Sequence, residues 1–222
     1  MDTINQLTEY IKNFSLSDCP TGNQGYDRVL LQLFGLLGHG KSSFINTCKY
    51  VLEDGEYQNY ANSKKSEGGD TVARVTFPLT ETLTLVDNHG CSTMSDYETS
   101  GSEIQEIKQL LETARDLTEI FPIVVLTHKT GGNMREIKET FEDTGVERDF
   151  SLDNFTPEDH IKTRKRHEDV LTFFCDVIKD IKFRLERVVD PVQNREKRKK
   201  KVINFIYQSG LQKEKEELKC RK

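Results

Sequence analysis

The segment Gly35-Leu-Leu-Gly-His-Gly-Lys41-Ser42 matches the pattern G-x-x-x-x-G-K-[ST] in full. A nearly continuous apolar run from Val29 to Leu33 precedes it, which predicts a strand buried on both faces. Apolar residues at helical spacing follow it. In such a strand–loop–helix context, glycines let backbone N–H groups converge on phosphate oxygens, and the helix adds its positive N-terminal end. The motif therefore predicts a P-loop that binds a nucleoside triphosphate.

Individual residues of this loop have distinct expected roles. Lys41 is placed to reach the β- and γ-phosphates, and the Ser42 hydroxyl is placed to ligate Mg²⁺. The alternative, a glycine-rich turn that arose by chance, is disfavoured by the strand before the loop and the helix after it. The candidate nucleotide-binding residues of the loop are Gly35, Gly38, His39, Gly40, Lys41, Ser42 and Ser43.

A second motif, Asp87-Asn-His-Gly90, follows an apolar strand predicted over Leu83 to Val86. An aspartate at the end of such a strand can hold the Mg²⁺ water shell, and a glycine N–H can contact a γ-phosphate. Taken alone, D-x-x-G is typical of an ordinary turn. In this order after a P-loop it predicts a phosphate sensor formed by Asp87 and Gly90.

Thr71 is a candidate for a further Mg²⁺ ligand. It follows a polar, glycine-rich stretch from Asp54 to Asp70, which predicts an exposed loop that becomes ordered around a γ-phosphate. Ser63 and Ser66 are weaker competitors, and a solvent-exposed threonine at a strand start is an equal alternative. The predicted metal ligands are therefore Ser42, Thr71 and Asp87.

Length and composition limit the classes of protein. The chain has 222 residues, of which 35% are hydrophobic and 31% charged, so we expect one α/β domain with flanking helices or at most two small domains. Five cysteines without a C-x-x-C pair argue against a disulfide framework or a zinc site. No run approaches the length of a membrane span and no signal peptide is apparent, which predicts a cytoplasmic protein.

The charge is unevenly distributed. From Pro191 onward the chain has 11 Lys/Arg against 4 Asp/Glu, whereas the first 190 residues have 21 against 33. The run from Arg195 to Lys201 suits a nuclear-import signal, a protein contact, an anionic-membrane contact or a nucleic-acid patch. A solvated helix extension is the plainest alternative. Specific nucleic-acid binding is not expected, because the nearby aromatic residues form no convincing stacking platform.

Alternating patterns predict an α/β fold with a mostly parallel sheet in a three-layer domain. We expect an N-terminal helix and linker over 1–28, a P-loop domain over 29–190, and a basic C-terminal helical tail over 191–222. An edge strand is predicted around Phe77, a buried strand over Ile123 to Leu126, and a weak strand around Phe150. Thr156-Pro-Glu-Asp159 predicts the N-cap of a long final helix that ends before Pro191.

The order of P-loop, Thr71 and D-x-x-G resembles the TRAFAC class of P-loop GTPases. In that class the motif N/T-K-x-D reads guanine, and Val125-Leu-Thr127-His-Lys-Thr130 stands in its place. Thr127 matches the first position of the motif, His128 replaces its lysine and Thr130 replaces its aspartate.

A narrower resemblance is to the interferon-induced protein 44 family and related immune GTPases of vertebrates. It rests on Gly40-Lys-Ser-Ser-Phe-Ile-Asn46, Val125-Leu-Thr-His128 and Leu152-Asp-Asn-Phe-Thr156. By this resemblance Thr127, His128 and Asn154 belong to the nucleotide site, and Asn154 lies beside the base.

The resemblance implies an immune-related switch that binds Mg²⁺ with GTP or GDP, a guanine nucleotide, and that can form a homodimer across it. Cys91 stands where Ras-like enzymes place the glutamine that orients water, so any hydrolysis should be slow or partner-dependent, and no catalytic residue is predicted. Only 31 residues separate Gly90 from Pro122, which predicts that one sheet strand is missing or that the sheet closes differently. A degenerate, non-hydrolysing scaffold is the alternative. A nucleotide kinase is disfavoured because no Arg-rich lid follows.

Overall fold

The fold alternates helices with short strands. The computed structural model describes residues 3–35, 38–53, 55–61, 74–88, 100–127, 134–143, 145–146 and 148–220. The strands in those ranges are β1 Val29–Leu33, β2 Val75–Pro78, β3 Leu83–Asp87, β4 Val124–Leu126 and β5 Asp149–Ser151. The helices are α1 Thr3–Lys12, α2 Lys41–Leu52, α3 Ser100–Thr118, α4 Met134–Glu142, α5 Arg164–Arg187 and α6 Pro191–Cys220, with a 3-10 turn at Leu16–Asp18. The predicted α/β class is confirmed.

The described strands form two small sheets. In the first, β3 is central, pairing in parallel with β1 and antiparallel with the edge strand β2. In the second, β4 and β5 pair in parallel. Proline in β2 suits an edge position because it cannot donate a ladder hydrogen bond. The predicted edge strand around Phe77 is therefore confirmed.

One continuous sheet was expected, and the described residues do not form one. Between residues 100 and 123 the chain builds the 19-residue helix α3 and then runs without a strand into β4. No strand within the described ranges bridges β1 and β4 by backbone pairing. The short interval after Gly90 is thus used for a helix, and two sheets result.

The prediction that β1 is buried on both faces is wrong. Its residues alternate between half-buried and exposed, and 43% of the Leu30 surface is accessible. Leu31 packs against the hydrophobic core with Leu85 of the paired strand. Leu30 lies on the opposite face, because successive strand residues point in opposite directions. An apolar run gives no information on whether a second layer covers that face. β4 is likewise only half-buried.

Helix α2 lies at the centre of the core. Eight of its twelve residues are buried, including the polar pair Asn46 and Thr47. The core also contains Ile11 of α1 and Phe174 of α5, both fully buried. The burial of most of the circumference of α2 fixes the helix that begins directly at the P-loop motif.

Helix α5, predicted as the long final helix, begins later than predicted and is followed by α6. Thr156 and Asp159 instead close a turn, in which the two backbones exchange hydrogen bonds of 3.0 and 3.1 Å. The Thr156 hydroxyl accepts a further bond from Asp159 N–H. Helix α5 starts at Arg164 with Thr163 as its N-cap. The predicted capping threonine was therefore wrong, because its hydroxyl serves a local turn.

The predicted end of α5 is confirmed. The helix stops at Arg187, and α6 begins at Pro191, where a proline is favoured in the first helical turn. The Asp190 carboxylate accepts a 2.9 Å bond from the N–H of Gln193 and so caps α6. In the described part of the chain, none of the helices has an apolar stretch long enough to cross a membrane.

Candidate functional site

The loop between β1 and α2 has a backbone shape that its glycines permit. Gly38 and Gly40 have φ of +78° and +79°, and Gly40 is the N-cap of α2. A Cβ atom on Gly40 would lie 2.9 Å from the Thr127 hydroxyl and 3.2 Å from the Asn154 amide nitrogen. Gly40 is therefore required both by its left-handed backbone and by the close approach of two other loops.

Lys41 folds back over this loop. Its ammonium group donates a 3.0 Å hydrogen bond to the carbonyl oxygen of Gly35. The lysine thus spans the loop from its last residue to its first, and its charge lies at the N-terminus of α2. A positive charge at a positive helix end is unfavourable by itself and becomes favourable when an anion lies between them.

Ser42 meets Asp87 at the carboxyl ends of two parallel strands. Leu33 and Asp87 are paired in the register of β1 and β3, which brings the end of β3 next to the loop. The Ser42 hydroxyl donates a 3.2 Å hydrogen bond to the Asp87 carboxylate, and Asp87 is only 2% exposed. A buried carboxylate held by a hydroxyl is an oxygen-rich pair of the kind that Mg²⁺ prefers.

Residues from the second sheet reach the same loop. Thr127, directly after β4, donates a 3.1 Å hydrogen bond to the carbonyl oxygen of His39. Asn154, three residues after β5, donates a 3.3 Å bond to the carbonyl oxygen of Gly40. The two sheets, which share no strand pairing in the described residues, are thus joined at the loop.

The segment after β5 is itself held from two sides. The backbone N–H of Phe155 donates a 2.8 Å bond to the Thr47 hydroxyl on α2. The Arg166 guanidinium donates to the carbonyl oxygen of Asn154 at 2.7 Å and lies over the Phe155 ring at 4.2 Å. The aromatic ring of Phe155 also packs edge-on against Tyr50. These contacts fix the backbone from which the Asn154 side chain extends.

Sequence reasoning did not single out Thr47, Arg166, Asn88 or Asn46 as part of this arrangement. Asn88 donates a 3.0 Å hydrogen bond to the carbonyl oxygen of Leu33 and so links the end of β3 to the end of β1. Asn46 is fully buried and exchanges bonds of 2.7 and 3.0 Å with the backbone of Ala61. Asn88 had a signal, its place inside the D-x-x-G motif, and Asn46 ends the segment Gly40–Asn46. The contacts of Thr47 and Arg166 join separate elements, which no local pattern predicts.

The remaining candidates are placed as follows. Ser43 lies in the first turn of α2, and its carbonyl oxygen accepts a 2.8 Å bond from the Thr47 hydroxyl. Thr71, Gly90 and His128 lie outside the described residues, as do Cys91 and Thr130. The structure therefore brings together the candidates of the β1–α2 loop, Asp87, Thr127 and Asn154.

Other chemistry near the loop is limited. Among the described residues, no group of three or more His, Cys, Asp or Glu side chains is placed to hold a metal ion. Burial raises the pKa of the Cys48 thiol well above its usual value, so the thiol is protonated at neutral pH. Ser42 and Asp87 are two oxygen donors, so a metal held by them would take its other ligands from phosphate, water or the predicted Thr71.

A separate concavity of about 390 Å³ lies between α1 and α5, with Glu9, Asp18 and Lys182 among its lining residues. It contains none of the candidate residues described above. Its charged lining residues are of both signs, and the Lys182 ammonium group donates a hydrogen bond to the Tyr10 hydroxyl. The β1–α2 loop is the better candidate site.

No protein-family model matches this chain, and comparison with curated proteins likewise finds no match. The resemblance to TRAFAC GTPases and to the interferon-induced protein 44 family therefore stays a prediction based on the motifs in the sequence.

Proposed function

We propose that this protein is a P-loop NTPase of the GTPase-like type, and that it binds a nucleoside triphosphate with Mg²⁺ at the loop between β1 and α2. The observation that carries this proposal is the meeting of Lys41, Ser42 and Asp87 at the carboxyl ends of β1 and β3. Ser42 and Asp87 are joined at 3.2 Å, and Lys41 spans the loop to Gly35 at 3.0 Å. Ligands of open α/β folds bind at this end of the strands.

The phosphate groups are expected to replace the lysine–carbonyl contact. One of the hydrogen bonds of Lys41 goes to the carbonyl oxygen of Gly35, a neutral acceptor. A phosphate oxygen is a charged acceptor and forms a stronger hydrogen bond, so binding would draw Lys41 from the carbonyl to the ligand. The N-terminus of α2, which follows the left-handed Gly40 and has no side-chain cap at that residue, would face the same phosphates.

The pair Ser42 and Asp87 fits a magnesium ion. Two oxygens on adjacent corners of a Mg²⁺ octahedron are about 3 Å apart when each lies about 2.1 Å from the metal. The observed 3.2 Å between the hydroxyl and the carboxylate is close to that spacing. Bound Mg²⁺ would neutralise charge on the β- and γ-phosphates. Ser42 and Asp87 are the described residues that would hold it, and Thr71 stays a predicted third ligand.

Guanine is the base we propose, by the resemblance alone. Thr127 and Asn154 hold the loop backbone at His39 and Gly40, next to where a base would lie in that class. Thr130 stands in place of the aspartate that pairs with guanine N1 and N2, so discrimination against adenine should be weak. GTP should therefore bind only modestly better than ATP.

Isothermal titration of the full chain with Mg²⁺-GTP and Mg²⁺-GDP tests the proposal. We expect binding of both, and a loss of about 10- to 100-fold on Lys41→Ala, because one charged hydrogen-bond donor to phosphate is removed. Lys179→Ala is the matched control, since that lysine is 69% exposed on α5 and pairs only with Asp176 among the described residues. Absence of binding of either nucleotide at about millimolar concentration would disprove the proposal.

A second candidate is a degenerate GTPase fold that binds nucleotide without turnover and serves as an interaction scaffold. Cys91 in place of a water-orienting glutamine and the division of the strands into two sheets favour it. Steady-state phosphate release separates the two candidates. Turnover that disappears in Lys41→Ala supports a GTPase with slow or partner-dependent hydrolysis, involved in an immune-related switch. Binding without any turnover supports the scaffold.

A further inference from the structure

Helix α6 is held to the rest of the protein by residues of its first three turns. Arg195 donates a 2.8 Å bond to the carbonyl oxygen of Gln24, and Lys197 and Lys201 lie 3.4 and 3.3 Å from the carboxylate of Glu119. Hydrogen bonds from Lys201 and Lys197 lower the pKa of Glu119, so this acceptor stays ionised at neutral pH. These contacts hold the first three turns of α6, and the apolar residues that follow Lys201 are exposed.

An exposed side of α6 carries a specific combination of residues. Ile203, Ile206 and Tyr207, spaced i, i+3 and i+4, form one stripe and are 55%, 64% and 63% exposed. Lys199 and Lys200 are exposed one turn before them. Ile203 is about 200° around the helix from Lys201, which faces Glu119. We name the five residues Lys199, Lys200, Ile203, Ile206 and Tyr207 the outer face of α6.

Charge and apolar surface coincide on the outer face. Between Pro191 and Leu211 the helix has six basic residues and one acidic residue. The acidic residue, Glu196, lies on the same side of the helix as the outer face. In the described part of the chain, neither lysine of the outer face has an ion pair with a side chain. A solvated helix extension accounts for the lysines but not for three large apolar side chains in one stripe beside them.

We propose that the outer face of α6 binds the surface of an anionic lipid bilayer. Lysines beside aliphatic and tyrosine side chains are the composition of helices that lie in the membrane interface. The lysine ammonium groups would attract acidic headgroups. The lysine stems and the Tyr207 ring would lie at the boundary between headgroups and acyl chains, and the isoleucines would enter the acyl-chain region. A lipid surface also requires no complementary groove, which suits a convex helix surface.

A second copy of the chain suits the outer face less well. Lysine is depleted from the centres of protein interfaces, because burying its ammonium group costs solvation. Here two lysines lie directly beside the apolar stripe. Nucleic acid would use the lysines and leave the isoleucines in water. The bilayer is the one occupant whose surface takes up both kinds of side chain.

Sedimentation of the full chain with vesicles tests the inference. We expect binding to vesicles of phosphatidylcholine with about 30% phosphatidylserine, little binding to phosphatidylcholine alone, and release at about 0.5 M NaCl. Replacing Lys199→Gln and Lys200→Gln together should weaken binding about 25-fold, about fivefold for each charge lost near the surface. Replacing Ile203→Ser and Ile206→Ser should weaken it about tenfold or more.

The matched control replaces Lys12→Gln and Lys179→Gln, exposed lysines on α1 and α5, which changes the net charge equally. It should change binding less than about twofold, and circular dichroism should show all variants folded. The inference is overturned by failure to bind acidic vesicles, by equal binding to neutral ones, or by an equal loss in the control. A dimer in lipid-free solution that the Lys199→Gln, Lys200→Gln variant abolishes would assign the outer face to a second copy instead.

Discussion

Two halves of the molecule reach the same loop in different ways. The α2 half, consisting of β1, β2, β3 and α2, buries every residue of β3, including Asp87. The β4 half, consisting of β4, β5 and the segment 152–155, has strands of which every residue is only half-buried. In the α2 half, Asp87 lies in the core, whereas Lys41 and Ser42 are half-buried in the first turn of α2. The β4 half contributes Thr127 and Asn154 through hydrogen bonds to the loop backbone.

This difference indicates where the site is rigid. Burial on both sides positions a strand end by packing, whereas a half-buried strand end depends on a few specific bonds. We therefore expect the phosphate and magnesium part of the site to tolerate changes in the β4 half. The base part, which includes Asn154, should depend on Phe155 and Thr127. The predictions below test that division, from the largest expected effect to the smallest.

Phe155→Ala should have the largest effect, because this fully buried ring joins the two halves. It packs against Tyr50, and its N–H donates to Thr47. Loss of the side chain should lower the free energy of unfolding by about 3–5 kcal/mol, as measured by urea denaturation. Phe183→Ala is the matched control, because Phe183 is 50% exposed, and it should cost less than about 1 kcal/mol. Equal costs would contradict the joining role of Phe155.

Ser42→Ala should separate metal binding from phosphate binding. The variant removes a predicted Mg²⁺ ligand and the 3.2 Å bond to Asp87, while Lys41 stays in place. The affinity for Mg²⁺-GTP should fall about tenfold, measured by titration calorimetry. In EDTA the variant and the original protein should bind GTP equally weakly. A tenfold difference that persists in EDTA would show that Ser42 does not act through the metal.

Thr127→Val should cost about 0.5–1 kcal/mol of stability, because it removes one partly exposed hydrogen bond to the His39 carbonyl. Thr118→Val is the control: its hydroxyl donates to the Ala114 carbonyl oxygen and accepts from the Ile120 N–H, so its loss affects the end of α3 and not the contact between the halves. A double-mutant cycle with Asn154→Ala should give a coupling of at least about 0.5 kcal/mol. Strict additivity would mean that the two donors hold the loop independently.

Tyr60→Phe tests a polar anchor at the far end of α2. Burial alone would raise the pKa of Glu53, but hydrogen bonds from Lys49 and Tyr60 outweigh it and lower that pKa. The same bond to Glu53 raises the pKa of Tyr60 to about 12. The Glu53 side chain is 43% exposed and therefore partly screened by solvent, so the variant should lose only about 0.5 kcal/mol at neutral pH.

The pH dependence of the stability lost in Tyr60→Phe follows from the pKa shifts of Glu53 and Tyr60. Glu53 has a lowered pKa, so its contribution is present above its unfolded value and is lost as the pH falls through the folded one. Tyr60 has a raised pKa, so its contribution is present below about pH 10 and is lost as the pH rises towards about 12. The difference between Tyr60→Phe and the original protein should thus be largest between about pH 5 and 10. Tyr207→Phe, which is 63% exposed, should show no such profile.

Much of the element order could be predicted from the sequence. The bounds of β1 and the places of β2 and β5 agree with the patterns, because those patterns depend on neighbouring residues in the chain. The start of α5 could not be predicted, since Thr156 and Thr163 have the same capping chemistry. The exposure of Leu30 was also missed, because an apolar strand has the same composition with one face covered or two.

The sequence by itself determined the loop Gly35–Ser42 and the aspartate that faces it, because a glycine-rich turn, a strand and a helix are contiguous and specify one local geometry. Only the tertiary structure decided which distant groups hold that loop. Thr127 and Asn154 meet His39 and Gly40 through contacts separated by 88 and 114 residues. Such contacts arise from packing around α2, which no local pattern encodes. The division into two sheets has the same origin, since strand pairing depends on what lies between strands in space.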